Sequence, residues 1–257
     1  MTKEIMEFAQ KLAHRAGEML SDRITRHNPV YYKGDIDLVT EADKMSEELI
    51  LDEIHRQYPD HGILSEESAL ENSQAALRWI IDPLDGTTNF AHGFPFFCVS
   101  IALENQGVTE LGVIYDPTRN DMFTAAQGGG ATLNGKPLHI SSVKNLSRSL
   151  LATGFPYDIR VSSENNLNYF CMMAKKAQAI RRAGAAALDL AYLAAGRFDG
   201  FWELKLKPWD TAAGCLLVKE AGGTISDMSG NPWRSDSPGL VASNGWIHQE
   251  MMDVFNH

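Results

Sequence analysis

The stretch Trp79-Ile80-Ile81-Asp82-Pro83-Leu84-Asp85-Gly86-Thr87-Thr88-Asn89-Phe90 restricts this chain more than any other. An apolar strand runs into Asp82, Pro83 is expected to break it, and Asp85 follows three residues on. Two carboxylates at one strand end raise each other's pKa unless a cation neutralises them. Asp82, Asp85 and the carbonyl of Leu84 between them offer the hard oxygens that magnesium prefers. Gly86-Thr87-Thr88 then reads as the opening of a helix. Exposed N–H groups at such an opening bind phosphate, and glycine lets it approach the backbone. A cation site and an anion site are therefore expected side by side. An ordinary strand–turn–helix joint uses the same residue types, with Asp in the turn and Thr as cap. The apolar strand in front of the motif tips the reading toward the site.

Three further acids are candidates, each with a plain structural explanation. Glu66-Glu67 follows the short apolar strand Ile63-Leu64-Ser65; one acid suits a metal site, while alone the pair suits a solvated loop. Asp43 falls in the first turn of a helix, where an acid favours the dipole. Asp210 follows Pro208-Trp209 at another helix start, where N-capping is the simple expectation.

With 257 residues and 44% hydrophobic content the chain can bury a large core. A formal net charge of −10 argues against a basic, nucleic-acid-coating surface. Cys98, Cys171 and Cys215 are widely spaced with no CxxC pair, so a reduced, cytoplasmic protein without a zinc knuckle is expected. The opening MTKEIMEFAQ has no apolar signal core, and no apolar run reaches membrane-span length.

Periodicity predicts a helix over 4 to about 26, through Ile5, Phe8, Leu12, Met19 and Leu20, stopped by Asn28-Pro29. A second helix is predicted over 41–58, capped by Thr40, with Met45, Leu49 and Ile54 as its apolar stripe. Strands are predicted at 78–81, 97–103, 110–115 and 121–126, and Asn134-Gly135 suits a tight hairpin turn. That hairpin, with Pro137 where a Ser or Thr belongs, rules out a P-loop at 130–137. Beyond about Val143 the pattern alternates: strands at 150–154, 177–181, 198–202 and 239–243, helices at 164–175, 185–195, 211–221 and 246–255. The expectation is an α/β (α+β) fold in two halves that pack as one unit. Residues 1–143 form an antiparallel-rich sheet with its two helices to one side, and 144–257 an α/β half. His92 reads as a loop residue, and Asp189 as a structural partner rather than a catalyst.

Four motifs together carry a resemblance. Asp82-Pro83-Leu84-Asp85-Gly86-Thr87-Thr88-Asn89-Phe90 resembles the signature of the inositol monophosphatase family, the lithium-sensitive, metal-dependent sugar phosphatases. Trp209-Asp210-Thr211-Ala212-Ala213-Gly214, continuing to Glu220-Ala221-Gly222-Gly223, resembles its second signature. Val39-Thr40-Glu41-Ala42-Asp43 and Ser65-Glu66-Glu67-Ser68 are similar to its other acidic motifs, in the same order. The run from Arg181 to Tyr192 is most similar to the bacterial, SuhB-like branch.

The resemblance implies a layered αβαβα sandwich, the first half carrying most metal ligands and the second Asp210 and the polyol wall. It implies that Glu66, Asp82 and the Leu84 carbonyl hold one Mg2+, and Asp82, Asp85 and Asp210 a second, with a weaker third ion near Glu66. Glu67 would support Glu66 from behind. An attacking water would be activated at one ion and the leaving alkoxide steadied at the other. Thr87 with Asp43 would take the water's proton, and the Gly86 and Thr87 N–H groups would cradle the phosphate. Glu203, seven residues before Asp210, would meet the alcohol hydroxyls above a small-residue wall of Gly184-Ala185-Ala186. Arg181 or Arg182 would add a contact, and only one of them, because neighbours on a strand point opposite ways. The implied substrates are inositol monophosphates and related polyol phosphates, the implied assembly a homodimer. Histidinol phosphate, fructose bisphosphate or nucleotide 3′-phosphate enzymes of the same superfamily are the alternatives, as is a SuhB-like role with RNA polymerase and RNA.

Overall fold

The computed structural model describes residues 2–24, 30–32, 38–68, 70–235 and 237–256. In chain order, Thr2–Arg23 is α1, Val30–Tyr32 and Leu38–Thr40 are β1 and β2, and Glu41–Gln57 is α2. Then come β3 (Gly62–Ser65), β4 (Leu77–Asp85), α3 (Thr87–Ala91), β5 (Cys98–Asn105), β6 (Val108–Asp116) and β7 (Asp121–Ala126). They are followed by β8 (Gly130–Leu133), β9 (Lys136–Pro137), β10 (Leu150–Thr153), α4 (Leu167–Ala174), β11 (Ala179–Arg181) and α5 (Ala186–Ala194). The chain closes with β12 (Gly200–Leu204), α6 (Pro208–Glu220), β13 (Thr224–Ser226), β14 (Gly239–Ser243) and α7 (His248–Phe255).

Strands β3 to β9 form one sheet in sequential order, antiparallel except for the parallel β3–β4 pair. Strands β11-β10-β12-β14-β13 form a second, mixed sheet. The strict alternation of β5 explains how the first sheet is covered on both faces. Val99, Ile101 and Leu103 turn toward Leu12, Ala16 and Leu20 of α1 and Ile50 and Ile54 of α2. Cys98 and Ala102 turn the other way, into a core with Leu188 and Leu190 of α5 and Ala213 and Leu217 of α6. That core continues to Ala152, Phe201 and Ala242 of the second sheet. The second sheet's far face, Leu151, Trp202 and Val241, packs on Met173 of α4 and Met251 and Phe255 of α7. The layers therefore run α1/α2, first sheet, α5/α6, second sheet, α4/α7. The predicted halves share the α5/α6 layer, so the first sheet has helices on both faces, not on one side.

Several expected boundaries move for identifiable reasons. The expected end of α1 near 26 and the Asn28-Pro29 stop lie outside the described residues. Thr40 does cap α2: its side chain accepts from the Ala42 N–H at 3.2 Å while Asp43 accepts from the Thr40 N–H at 2.8 Å. The buried stripe of α2 is Ala42, Ser46, Ile50 and Ile54; Met45 and Leu49 are only half-buried. The small residues let the helix lie close to the sheet. Asn134 and Gly135 both have positive φ (50° and 76°) between β8 and β9, as the hairpin requires. Helix α6 begins at Pro208, three residues before the expected start, because proline fits the first helical position. Strand β13 has no counterpart in the sequence reading. Pro83 does not end β4, which continues to Asp85.

Helix α6 approaches the first sheet closely at one point. A Cβ on Gly112 of β6 would stand 2.9 Å from the Ala213 Cα and 3.0 Å from its carbonyl oxygen. Both are backbone atoms and cannot rotate away. Gly112→Ala should lower stability by about 1–3 kcal/mol through overpacking, read as a lower urea midpoint. An unshifted midpoint would show that the layers separate freely here.

Candidate active site

The convergence of acids starts with an irregularity in β4. Asp82 pairs with Ser100 of β5, yet Asp85, three residues later, pairs with Cys98, only two residues away. One extra residue is accommodated on β4, a bulge, and Pro83, which has no N–H to give a ladder, sits inside it. Without the bulge, residues three apart would point to opposite faces. With it, Asp82 and Asp85 share the face of Ser100 and Cys98, which looks toward α5 and α6. The Leu84 N–H donates back to Asp82 Oδ1 at 3.0 Å, and the Ser46 hydroxyl donates to the Pro83 carbonyl at 2.7 Å.

Three neighbouring elements complete the cluster. Parallel pairing sets Ser65 of β3 beside Ile81, and the Glu66 N–H donates to the Ile81 carbonyl, so Glu66 leaves its strand next to Asp82. On α6, Asp210 is the third helical residue and not the cap; its Oδ2 accepts from the Lys207 N–H at 2.6 Å. The Ser100 hydroxyl donates to the Trp209 carbonyl at 3.4 Å, tying the start of α6 to β5. Asp85 Oδ2 accepts from the Ala187 N–H in the first turn of α5 at 2.7 Å, where the helix dipole favours negative charge.

Burial pushes the Asp82, Asp85 and Asp210 carboxyls up. For Asp82 the next causes are the charges of Glu66, Asp85 and Asp210, and its pKa lies well above the ordinary range. Asp85 is raised by burial to about 6, held back by the N–H groups of Ala187, Leu188 and Ala186 and by Cys98. Asp210 is raised by burial and by Asp85 and Glu66, against the pull of Lys207. Four carboxyl groups and the Leu84 carbonyl form an all-oxygen donor set around one cavity, the chemistry that suits a hard divalent cation. Among the described residues no three His, Cys, Asp or Glu side chains are gathered into a single metal cage. Magnesium does not need one, since it keeps several waters and takes one or two carboxylates.

Beside this cluster lies a hydrogen-bonded relay. The Thr87 hydroxyl is 2.9 Å from Asp43 Oδ1 and 3.0 Å from the Leu84 carbonyl. Asp43 Oδ2 also accepts from the Thr40 hydroxyl at 2.5 Å. Asp43 is 1% exposed, and burial raises its pKa while the bonds from Thr40 and Thr87 lower it. Gly86, at φ 94°, makes the turn between Asp85 and Thr87; a Cβ there would be 2.9 Å from the Phe96 carbonyl oxygen.

The cavity has a volume of about 490 Å³. The acids and Gly86-Thr87 line it together with Gly154, Gly184, Ala185, Ala186 and Glu203. Asn89 of α3 fixes the small-residue wall by donating to the Ala183 carbonyl at 2.8 Å. Glu203 faces Gly154 across the parallel β10–β12 pair, where Thr153 is opposite Trp202. A Cβ on Gly154 would collide with both carboxyl oxygens of Glu203. Burial, then Asp210 and Asp85, raise the Glu203 pKa to about 8, and Arg182 opposes them. Of the arginine pair, Arg182 lines the cavity and Arg181 does not; the Arg181 guanidinium turns to the Ile180 carbonyl at 3.1 Å. Alternation along the backbone forces that choice. Asp43 does not line the cavity and reaches it only through Thr87. Several cavity-lining residues were not read as part of the site from the sequence. Gly154 had no motif to mark it. Asp189, expected to be a structural partner rather than a catalyst, lines the cavity with Oδ1 unpartnered.

A family model for the inositol monophosphatase family matches residues 1–254. An inositol-1-monophosphatase of Synechocystis sp. is 48% identical over 216 residues, 84% of this chain and 75% of that relative. The Nus factor SuhB of Escherichia coli K12 is 43% identical over 251 residues, 96% of this chain and 94% of the relative. The solved inositol monophosphatase of Anabaena (Nostoc) sp. PCC 7120 superposes with a TM-score of 0.91 at 41% identity, covering 99% of this chain and 96% of that one. The bulged acidic strand, the carboxyls just after β3 and on α6 and these matches over nearly the full length lead to one conclusion: the chain belongs to the inositol monophosphatase family.

Proposed function

We propose that this chain is a magnesium-dependent phosphomonoesterase that hydrolyses inositol monophosphates and related polyol phosphates. The observation that carries the reading is the bulge in β4, which turns Asp82 and Asp85 to one face beside Glu66 and Asp210. Glu66, Asp82 and the Leu84 carbonyl would hold one ion, and Asp82, Asp85 and Asp210 a second. Bound magnesium would supply charge neutralisation and Lewis acidity toward the water and the leaving oxygen. The opening of α3 leaves N–H groups of Gly86 and Thr87 without helical partners, available to phosphate oxygens. Thr87 orients the attacking water, and Asp43, reached through the Thr87 hydroxyl, takes up the proton. Glu203, over Gly154 and beside the Gly184-Ala185-Ala186 wall, receives hydroxyls of the alcohol half, with Arg182 at the rim.

The three thiols are unbonded, in keeping with a reduced cytoplasmic setting, and family resemblance supports a homodimer. Among the described residues no helix is long and apolar enough to cross a membrane. A second reading, association with the transcription machinery, is favoured by the Nus factor name of relatives that match 96% of the chain. Capture of RNA polymerase by an Asp85→Asn variant lacking phosphatase activity would separate the two roles.

The central test is phosphate release from inositol 1-phosphate, histidinol phosphate, fructose 1,6-bisphosphate and a nucleotide 3′-phosphate. Inositol 1-phosphate should be the best substrate with magnesium, and excess chelator or Asp85→Asn should abolish turnover. Undiminished release in chelator would sink the metal-dependent reading.

Thr87→Ala should lower kcat by about 10²–10⁴-fold, the usual scale of general-base assistance, with little change in magnesium affinity. Weakened metal binding at unchanged kcat would reassign Thr87 to support of the Leu84 carbonyl.

Glu203→Ala should weaken use of inositol 1-phosphate relative to glycerol 2-phosphate by about 1–3 kcal/mol, the scale of an unpaired buried polar group. Equal losses on both substrates would instead make Glu203 a support for the acidic cluster.

A further inference from the structure

Asp189 is unusual for its place in the fold. It lies in the first turn of α5 and is 1% exposed, with Leu188, Leu190 and Ala191 around it fully buried in the central core. Packing alone would be served by an alanine or a leucine at this position. Instead a carboxyl is there, it lines the active-site cavity, and its Oδ1 is buried without a hydrogen-bond partner. Buried carboxyl oxygens are ordinarily paired, because an unmet acceptor has lost its water and gained nothing.

The surroundings define what can meet it. Burial pushes the Asp189 carboxyl well up, and the charges of Glu203 and Asp85 push it further, against the pull of Arg182. A phosphate group would add to this negative field and brings no hydrogen to an unpartnered acceptor, so it gains nothing from Asp189. A neutral hydroxyl donor does. Glu203 and Asp189 therefore line one cavity, each able to accept from a hydroxyl. Two acceptors suit a ligand with two or more hydroxyls on one carbon frame.

We propose that Asp189 is a second specificity-determining residue, accepting a hydrogen bond from a hydroxyl of the substrate's alcohol half other than the one Glu203 receives. This rests on the polyol-phosphate reading of the site and narrows it: the alcohol must carry several hydroxyls, and a short alcohol gains nothing from Asp189.

The experiment compares Asp189→Ala and Asp189→Asn with the native chain on inositol 1-phosphate and glycerol 2-phosphate, with magnesium present. In Asp189→Ala the ratio of the two KM values should shift about 5- to 100-fold against inositol 1-phosphate, the scale of one lost buried hydrogen bond. The kcat values should move far less. Asp189→Asn keeps a carbonyl oxygen in the same place and should recover most of the shift. Parallel changes on both substrates, or no change in the ratio, overturn the assignment. So does failure of Asp189→Ala to fold, since the carboxyl would then be structural. Failure of the native chain to release phosphate from inositol 1-phosphate would sink the polyol reading itself, before any variant is made.

Discussion

Four carboxyl groups held around one cavity, largely shielded from water, repel one another, and the surrounding structure is organised to keep them there. Coulomb repulsion at low dielectric would favour strands and helices that splay apart. Rigid geometry opposes it. The bulge around Pro83 turns Asp82 and Asp85 to one face. The parallel β3–β4 register puts Glu66 beside Asp82. The Gly112–Ala213 contact seats α6, and with it Asp210, against the sheet. Local hydrogen bonds from the N–H groups of Leu84, Ala187 and Lys207 each soften one charge. A closely gathered, all-oxygen donor set is the arrangement to which a hard divalent cation adds most.

The site divides its work between the two sheets. The first sheet, through β3, β4 and the opening of α3, supplies acids, the Leu84 carbonyl and the Thr87–Asp43 relay. The second sheet and α5 supply Gly154, Glu203, the small-residue wall and Asp189. The shared α5/α6 layer joins the two: Asp85 is bonded to the start of α5, Asp210 stands at the start of α6, and Asp189 faces the same cavity.

Small residues recur where this geometry is tightest. Gly86 takes a positive φ directly under the Phe96 carbonyl, and Gly154 leaves room for the Glu203 carboxyl to lie against the backbone. Gly214 on α6 lets Leu190 of α5 approach, a Cβ there standing 2.6 Å from the Leu190 Cβ. Each is a place where one methyl group would collide with a close neighbour, because interiors at crystal-like density leave little room.

Much of this was legible in the sequence because the signals are local. The apolar run into Asp82, the Gly86 turn, the Thr40 cap with Asp43, the Asn134-Gly135 hairpin and the alternation of β5 each depend on a few neighbouring residues. The four acidic motifs named the family, and with it the layered fold. What the sequence could not contain was register and facing. Pro83 reads locally as a strand breaker, yet pairing with β5 absorbs it in a bulge. Asp210 reads as a cap, yet one residue pair, Lys207 and Asp210, fixes it in the third helical position. The choice of Arg182 over Arg181 and the place of Asp189 in the cavity wall follow from which face of β11 and α5 meets the other sheet. Those are decided by long-range packing of α5 and α6 between two sheets, a competition among distant surfaces that no local pattern records.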